Sequence, residues 1–276
     1  FFGGYNIYHE PMSLAGYQKI PAPLRKGMAA LASLLPRGVK GRSFLIRGSK
    51  KVEDRFIGNA NVYDMKLRNK VLKNTRPGFT PQSLTKPFYD KVKGLKDTEK
   101  MQYIDLNFWL IGDILLKADK MSMAQSIESR VPFLDRKVFE LARTLRLEDK
   151  VNDSNTKLAF RQVANRYLSE QQAKKKKLGF PVPIRVWLRD DKFYKIVKEA
   201  FTSEDAEQFF HTEELVKILD AHKAGKYDYA KHIWIVYMFL LWYRQYFHEG
   251  GESVTMEDEL EFERIRKNNR NARMNA

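Results

Sequence analysis

The sequence predicts a mainly α-helical protein, for three reasons. Two segments, residues 106–127 and 229–247, carry apolar residues at helical spacing over several turns. Residues that cap or begin helices precede several of the apolar stretches. Alternating apolar and polar patterns of useful length, which would indicate strands, are missing from the sequence.

The first 90 residues read as short helices joined by a basic connection. Residues 13–35 are rich in Leu and Ala and are interrupted by prolines, which favours short helices. Residues 36–60 are basic and contain several glycines, so we expect a loop there. Thr80 is expected to cap a helix that begins at Pro81.

The strongest helical pattern begins near Tyr103. Over residues 106–127, apolar residues nearly surround the helix as far as Leu116, which predicts burial on every side. A second pattern has apolar residues at spacings of four, three and four, which predicts an amphipathic helix. Its members are Leu134, Val138, Leu141 and Leu145.

Four further helices are predicted from caps and stop signals. They are a helix over about 155–168 capped by Ser154, one that Pro183 opens at Ile184, one that Thr212 caps and that stops at Gly225, and a long one from about Tyr229 to Phe247. Residues 1–250 are predicted to form one portion of a domain. Residues 251–276 are predicted to be a charged tail, in which acidic residues precede basic ones.

The composition narrows the classes of partner and chemistry. The formal charge of +16 over 276 residues favours anionic partners such as nucleotide phosphates, nucleic acid or an acidic protein face. The absence of cysteine excludes disulfides and thiolate chemistry, and the five histidines show no metal-binding spacing.

The longest apolar stretch, residues 233–243, is about half of the roughly 20 residues that span a bilayer, which predicts a buried core helix. The first residues do not resemble a signal peptide. They look like the middle of a longer chain.

Asp113 is the first candidate for a chemical role. Lys117 and Lys120 follow it one and two turns later on the same helix face. One interpretation is an ion pair with Lys117 where the helix meets solvent. The other is a carboxylate held in a cleft, where it orients a nucleophile or a catalytic lysine. The spacing leaves both open.

The segment DKMSMAQSIESRVPFLD, residues 119–135, is dense in charged residues. Asp119, Glu128 and Arg130 are interpreted as a structural network of buried ion pairs that fixes the geometry of a neighbouring site. Glu128 and Arg130 are two residues apart, so they would face different sides of a helix and need separate partners. Pro132 should end the helix near Arg130.

Two lysine features indicate an anion site. Lys157 lies near a predicted helix start, where it can share an anion with free backbone N–H groups. The run KKKKLGF, residues 174–180, is by charge repulsion a solvated patch. The Gly179-Phe180 turn could instead hold one of these lysines where it stabilises charge on a phosphate leaving group.

Three segments resemble, in this order, motifs of the synthetase domain of glutamine-hydrolysing asparagine synthetases. They are FFGGYNIY, DKMSMAQSIESRVPFLD and KKLGFPVPIRVWL. The resemblance covers roughly residues 1–8 and 100–247. It implies the C-terminal helical part of an α/β domain of the adenine-nucleotide α-hydrolase-like type, the PP-loop ATP pyrophosphatases. The family's terminal cysteine, its Ser-Gly-Gly-x-Asp-Ser loop and its Gly-Glu-Gly stretch are not in this sequence, which implies an N-terminally truncated domain.

The resemblance also implies a reaction for the complete protein. ATP adenylates the side-chain carboxylate of aspartate and releases pyrophosphate, and ammonia from glutamine then converts the acyl adenylate to asparagine and AMP. The expected partners are the missing glutaminase and nucleotide-binding segments, with aspartate and glutamine as substrates. A second copy in a homodimer is a further expectation. Mg²⁺ is expected to bind mainly to the missing N-terminal part. The fragment alone is expected to be inactive, and the location to be cytoplasmic.

Five residues receive roles through the resemblance. Lys177 matches a lysine that contacts phosphate and stabilises the transition state, and Lys157 matches a second phosphate-side lysine. Asp113 matches a carboxylate near the reacting centre. Glu128 and Arg130 match motif positions with an architectural role.

Two alternatives stay open. A related acyl-adenylating synthetase of the same superfamily would use the same lysine on another carboxylate. A basic helical module that binds nucleic acid or another protein would account for the charge. Nucleic acid is the less favoured partner, because most aromatic residues fall on apolar helix faces and do not alternate with basic residues.

Overall fold

The computed structural model describes residues 1–36, 38–59, 61–152, 155–175 and 182–247. Within these ranges the chain is almost entirely helical, with two isolated antiparallel bridges, Leu72–Phe210 and Val151–Thr156. The prediction of a mainly α-helical chain is confirmed. The helices are α1 Glu10–Gln18, α2 Ala22–Leu34, α3 Arg42–Gly48, α4 Val52–Arg55, α5 Met65–Val71, α6 Pro81–Lys91, α7 Asp97–Asn107, α8 Leu116–Met123, α9 Arg136–Thr144, α10 Leu147–Lys150, α11 Leu158–Tyr167, α12 Glu170–Ala173, α13 Ile184–Trp187, α14 Asp191–Phe201, α15 Glu204–Phe209, α16 Thr212–Lys223 and α17 Ala230–Phe247.

Three tighter or wider helical turns complete the secondary structure of the described chain. Asn6–His9 and Pro132–Leu134 are 3₁₀ turns, and Leu110–Leu115 is a π-helical turn that leads into α8.

The described residues form two compact units. The first takes its residues from Phe1–Asn61 and Pro77–Gly179, and the second from Val62–Arg76 and Phe180–Ala276. The short helix α5 therefore belongs to the second unit, although α4 and α6 on either side of it belong to the first. The single portion over 1–250 and the charged tail stay predictions, and residues 248–276 lie outside the described residues.

The first unit has a small apolar core. It is built from Tyr8, Val52, Phe56, Tyr89, Met101, Ile104 and Val151. The buried hydroxyl of Tyr89 donates to the carbonyl of Phe56 at 2.6 Å. The hydroxyl of Thr98 donates to the carbonyl of Tyr8 at 3.2 Å. These bonds satisfy polar atoms that would otherwise be costly to bury.

A buried arginine joins three helices of the first unit. The Arg55 side chain is only 1% exposed. Its Nε donates to Glu10 on α1 at 3.1 Å, and its Nη2 donates to Asp97 on α7 at 3.2 Å. Its Nη1 donates to the carbonyl of Lys50 at 3.2 Å, and Glu10 also pairs with Arg47. The guanidinium is thus hydrogen-bonded through all three of its nitrogens, as a buried charge requires.

The loop predicted over residues 36–60 is wrong for much of its length, because α3 and α4 lie within it. The basic residues there suggest solvation, but Arg47 and Arg55 bind carboxylates that come from distant parts of the sequence. Gly48 also packs tightly, since a Cβ added to it would lie 2.4 Å from the Tyr17 ring. Long-range partners of this kind are invisible to a local composition argument.

The second unit has a larger core. It comprises Val71, Leu188, Val197, Phe201, Ala206, Phe210, Leu215, Ile218, Leu219, Ala230, Ile233, Val236 and Leu240. The fully buried His222 connects its helices: Nδ1 accepts from the backbone N–H of Tyr229 at 3.1 Å, and Nε2 lies 3.0 Å from the carbonyl of Arg185. The ring therefore carries its proton on Nε2 and donates it to Arg185.

Several helix ends match their predictions. Thr80 accepts from the Ser83 N–H at 3.2 Å and caps α6, and α13 begins at Ile184. Helix α16 begins at Thr212, one residue earlier than predicted, so the cap position falls on His211 and the cap predicted at Thr212 is wrong. Gly225 follows the helix with a φ of +71°, as predicted for its end. The cap assigned to Ser154 lies outside the described residues.

Helix α17 begins and ends close to the predicted bounds, but it is buried on one face only. Ile233, Val236 and Leu240 are buried, whereas Leu241 and Trp242 are exposed. No helix of the described chain is long and apolar enough to cross a membrane.

Two burial predictions in the first unit are wrong. The segment predicted to be buried on every side contains Ile111, which is 61% exposed, and an exposed Leu116. Apolar residues on all sides indicate that a surface needs covering, and within the described chain nothing covers this one. In the amphipathic stripe Leu141 is exposed and Ala142 is buried, so the face of α9 that packs inward includes Ala142 and not Leu141.

We expect Arg55→Ala to lower the free energy of unfolding of the chain by about 1.5–3 kcal/mol, because it removes the charged hydrogen bonds that a buried guanidinium makes to Glu10 and Asp97. Arg136→Ala is the matched control: the Arg136 side chain is 89% exposed and pairs with Glu140, and its loss should cost about 0–1 kcal/mol. Urea denaturation of both variants measures the difference. Equal losses would show that the Arg55 contacts do not hold the unit together.

Candidate functional site

A cavity of about 610 Å³ lies in the first unit, beside the N-terminal Phe-Phe-Gly-Gly-Tyr segment. Residues of α7, α9, α10 and α11 form much of the rest of its wall. Its polar lining consists of Tyr5, Tyr8, Glu99, Gln102, Tyr103, Asp105, Arg143, Lys150 and Lys157. Aromatic rings supply much of the apolar lining, so the cavity offers both charged groups and stacking surfaces.

Two glycines let the N-terminal segment approach the other wall. Gly3 has a φ of +69°, and a Cβ there would lie 2.3 Å from Val151 Cγ2. A Cβ on Gly4 would lie 2.6 Å from Lys157 Cε. The left-handed φ and the close contact together favour glycine at position 3. The bare backbone thus comes into contact with the segment that carries Lys157.

Lys157 is placed in this cavity. It directly precedes α11, which begins at Leu158 and so about three residues later than predicted, and it has a left-handed backbone with a φ of +58°. Its Nζ lies 6.0 Å from the centre of the Phe160 ring. A non-glycine residue in the left-handed region is uncommon and often marks a functional constraint.

Two further cations line the cavity, and sequence reasoning did not single them out. They are Arg143 on α9 and Lys150 at the end of α10. Burial lowers the pKa of Lys150, while the negative charge of Glu99 acts in the opposite direction. With Lys157 there are three cations in the lining, against the carboxyl groups of Glu99 and Asp105.

Asp105 on α7 is a buried carboxyl group in the cavity wall and is 4% exposed. Its Oδ2 accepts from the Tyr8 hydroxyl at 2.8 Å and from the Asn59 side-chain amide at 2.8 Å. Its Oδ1 is buried without a hydrogen-bond partner among the described residues. Burial raises the pKa of Asp105 to about 6, although the hydrogen bonds from Tyr8 and Asn59 act to lower it.

A sequence signal for Asp105 exists. Met101, Ile104 and Phe108 stand at helical spacing around it, so Asp105 falls on the face that the apolar residues bury. An acidic residue on a buried helix face must be protonated, hydrogen-bonded or paired.

Asp113 lies in the π-helical turn and not in the cavity wall. Its carboxylate is 3.5 Å from Lys117 Nζ, so the structure contains the i,i+4 ion pair that was one of its two interpretations. Both side chains reach solvent. Single π-helical turns frequently occur at functional sites. A role for Asp113 near the reacting centre stays a prediction.

The three residues interpreted as a structural network are exposed. Asp119 lies on the open side of α8. Arg130 Nη2 lies 2.5 Å from Glu128 Oε1, so these two residues are partners of each other, which corrects the expectation of separate ones. The chain is non-helical at both residues and can therefore turn them toward each other. The burial expected of this network is not found, and its architectural role stays a prediction.

Lys177 lies outside the described residues, as do its neighbours from 176 to 181. At the start of the lysine run, Lys174 is exposed and pairs with Glu170, and Lys175 is exposed. The solvated interpretation therefore holds for these two lysines. The phosphate role of Lys177 stays a prediction.

The described residues do not fit a metal ion. Among them, no group of three His, Asp or Glu side chains could hold one. We therefore assign Mg²⁺ to no residue of the described chain.

The comparisons with known proteins point to asparagine synthetases. Residues 1–244 match the sequence profile described as asparagine synthase. The glutamine-hydrolysing asparagine synthetase 1 of Bacillus subtilis is 39% identical over 242 residues, which is 88% of this chain and 38% of that protein. A Mycobacterium bovis protein provisionally named as a glutamine-hydrolysing asparagine synthetase is also 39% identical over 242 residues, 88% of this chain and 37% of its own length. No solved structure shows significant similarity to the chain.

The fold and the site define a mainly helical domain with a cationic cavity of ligand size. The chain belongs to the asparagine synthase family, within the superfamily of PP-loop ATP pyrophosphatases. It spans about two fifths of the length of each of these two curated relatives.

Asp105 should make stability depend on pH. An unfolded aspartate releases its proton near pH 4 and the folded one near pH 6, so the folded state binds more protons between these values. The free energy of unfolding should therefore fall as pH rises from 4 to 6, by about 2 kcal/mol from this group. Asp105→Asn keeps an acceptor for Tyr8 and should lose this component. Urea denaturation from pH 4 to 7.5 compares the two proteins, and parallel pH profiles would contradict the burial argument.

Proposed function

We propose that the chain is part of an ATP-dependent amidotransferase that makes asparagine. The aspartate side-chain carboxylate attacks the α-phosphorus of ATP, the bond to the bridging oxygen breaks, and pyrophosphate leaves. Ammonia derived from glutamine then attacks the acyl carbon of β-aspartyl-AMP, loses a proton, and displaces AMP. The family membership supports this reaction, and the names of the relatives support glutamine as the nitrogen donor.

The observation that carries the proposal is the position of Lys157. It was singled out from the sequence as a phosphate-side lysine, and it lines the cavity beside the Gly3-Gly4 segment. Arg143 and Lys150 lie in the same lining. Three cations in a partly desolvated pocket would stabilise negative charge as it builds on a phosphate group.

Lys177 is proposed as the second phosphate contact. A lysine on a flexible stem can follow charge onto the leaving pyrophosphate, whereas a rigid arginine fork favours one fixed geometry. Asp113 is proposed to act near the reacting centre, and Glu128, Arg130 and Asp119 to support the site's geometry. Mg²⁺, when bound, would neutralise phosphate charge, and we assign its ligands to other parts of the complete protein.

The partners of this chain are proposed to be the glutaminase and nucleotide-binding segments of the complete protein. The relatives are much longer than the stretch that matches. The first unit exposes large apolar side chains along residues 110–133, including Ile111, Met121 and Ile127. A surface of this kind favours a protein partner over solvent. A homodimer and a cytoplasmic location stay predictions, and a synthetase acting on another carboxylate stays the alternative.

In the complete enzyme, Lys177→Ala should abolish aspartate-dependent pyrophosphate release and leave glutaminase activity unchanged, because it removes only the phosphate contact. The matched control is Lys174→Ala, since Lys174 is exposed and pairs with Glu170. Coupled assays of pyrophosphate and glutamate measure both activities. Wild-type pyrophosphate release from the Lys177 variant would refute its role.

The isolated chain 1–276 should form no AMP from ATP and aspartate, because the proposed nucleotide-binding segments lie elsewhere in the complete protein. Chromatographic detection of AMP with the purified chain, with and without aspartate, measures this. Aspartate-dependent AMP formation would show that the chain alone contains a whole synthetase site.

A further inference from the structure

Arg161 links the turn that carries Lys157 to residues 173–175, which precede Lys177 in the sequence. It lies in the first turn of α11. Its Nε donates to the carbonyl of Thr156 at 3.1 Å, directly before Lys157 in the sequence. Its Nη1 donates to the carbonyls of Ala173 at 2.9 Å and Lys175 at 3.2 Å. One guanidinium thus binds the turn that presents Lys157 and the chain that leads into the lysine run.

The backbone of Arg161 adds a fourth contact to the same region. Its N–H donates to the carbonyl of Lys157 at 2.8 Å. The left-handed residue Lys157 is therefore held on both sides, through its own carbonyl and through that of Thr156. Left-handed backbone at a non-glycine residue persists only where the surroundings impose it.

The three side-chain bonds depend on the shape of the arginine head group. The guanidinium is planar, and its N–H groups point in fixed directions that can serve several acceptors at once. A lysine ammonium is a compact charge on a longer flexible stem and cannot hold three carbonyls in the same fixed arrangement. The arrangement therefore requires arginine specifically, beyond a requirement for positive charge.

We infer that Arg161 is a positioning residue of the synthetase site, which fixes the Thr156–Lys157 turn relative to the backbone at residues 173–175. It contacts no substrate and acts through the lysines on either side. The inference rests on the proposed function, since it assigns Arg161 to the adenylation step. It goes beyond that proposal by naming the side chain on which the spacing of the two lysine segments depends.

The neighbouring charges do not replace this contact. Lys174 pairs with Glu170 on the exposed side of α12, which leaves the carbonyls of Ala173 and Lys175 to Arg161. Arg166, five residues later on α11, is exposed and provides a matched arginine on the same helix.

The experiment compares Arg161→Ala, Arg161→Lys and Arg166→Ala in the complete enzyme. We expect both Arg161 variants to lower kcat for aspartate-dependent pyrophosphate release by about 10- to 100-fold, as for a small misplacement of catalytic groups. KM for ATP and aspartate should stay within about twofold and glutaminase activity should not change, because Arg161 binds neither substrate. Arg166→Ala should match the wild type. If Arg161→Ala does not fold, Arg161→Lys is compared with Arg166→Ala and the wild type.

Limited trypsin digestion gives a readout that does not depend on activity. Loss of the anchor should speed cleavage after Lys174 and Lys175 in the Arg161 variants, measured by mass spectrometry, with the rate in Arg166→Ala unchanged. Faster cleavage together with the kcat loss supports the inference. Unchanged cleavage, or faster cleavage with wild-type kcat, overturns it. A wild-type enzyme without aspartate-dependent pyrophosphate release would instead refute the proposed function, and the digestion would still report whether Arg161 anchors the segment.

Discussion

The site depends on the close approach of the Gly3-Gly4 backbone to Val151 and Lys157. A side chain at position 3 would need a left-handed φ and would overlap Val151, so the approach is available to glycine and costly to other residues. The approach brings the N-terminal segment against the Val151–Thr156 bridge, and this bridge leads directly into Lys157. The wall that carries Lys157 is thereby closed by backbone from the start of the chain. Without this contact the cations would line an open surface and would be screened by water.

The charge balance of the cavity follows from burial. Arg143, Lys150 and Lys157 face two carboxyl groups, and burial raises the pKa of one of them, Asp105, toward neutrality. In mildly acidic solution Asp105 is partly protonated, which increases the positive potential around Lys157. Tyr8 and Asn59 hold the same carboxyl oxygen, so Asp105 also connects the N-terminal segment to α7. One residue therefore contributes to the shape of the cavity and to its electrostatics.

Local signals in the sequence predicted about half of the helices. Thr80 and Pro183 mark helix starts by chemistry that acts within a few residues, and both predictions are confirmed. The errors arose where contacts with residues far away in the sequence determine the local structure. Arg47 and Arg55 read as part of a basic loop because Glu10 and Asp97, their partners, lie far away in the sequence.

The candidate site was only partly predictable for the same reason. Lys157 could be found from its place at a helix start, and Asp105 could have been found from its place on a buried helix face. Arg161 gave no local signal, since two of its three side-chain acceptors are backbone carbonyls of residues 12 and 14 positions later. The resemblance of three short motifs gave the family correctly, but a motif does not show that Asp113 pairs with Lys117 in a π-helical turn.

The most direct test of the account is an experimental structure of the complete enzyme with a non-hydrolysable ATP analogue and aspartate. The account predicts a phosphate oxygen within about 3 Å of Lys157 Nζ, at the cavity that the Gly3-Gly4 segment closes. A nucleotide bound with its phosphates remote from this cavity would contradict the central claim, whatever the enzyme's activity.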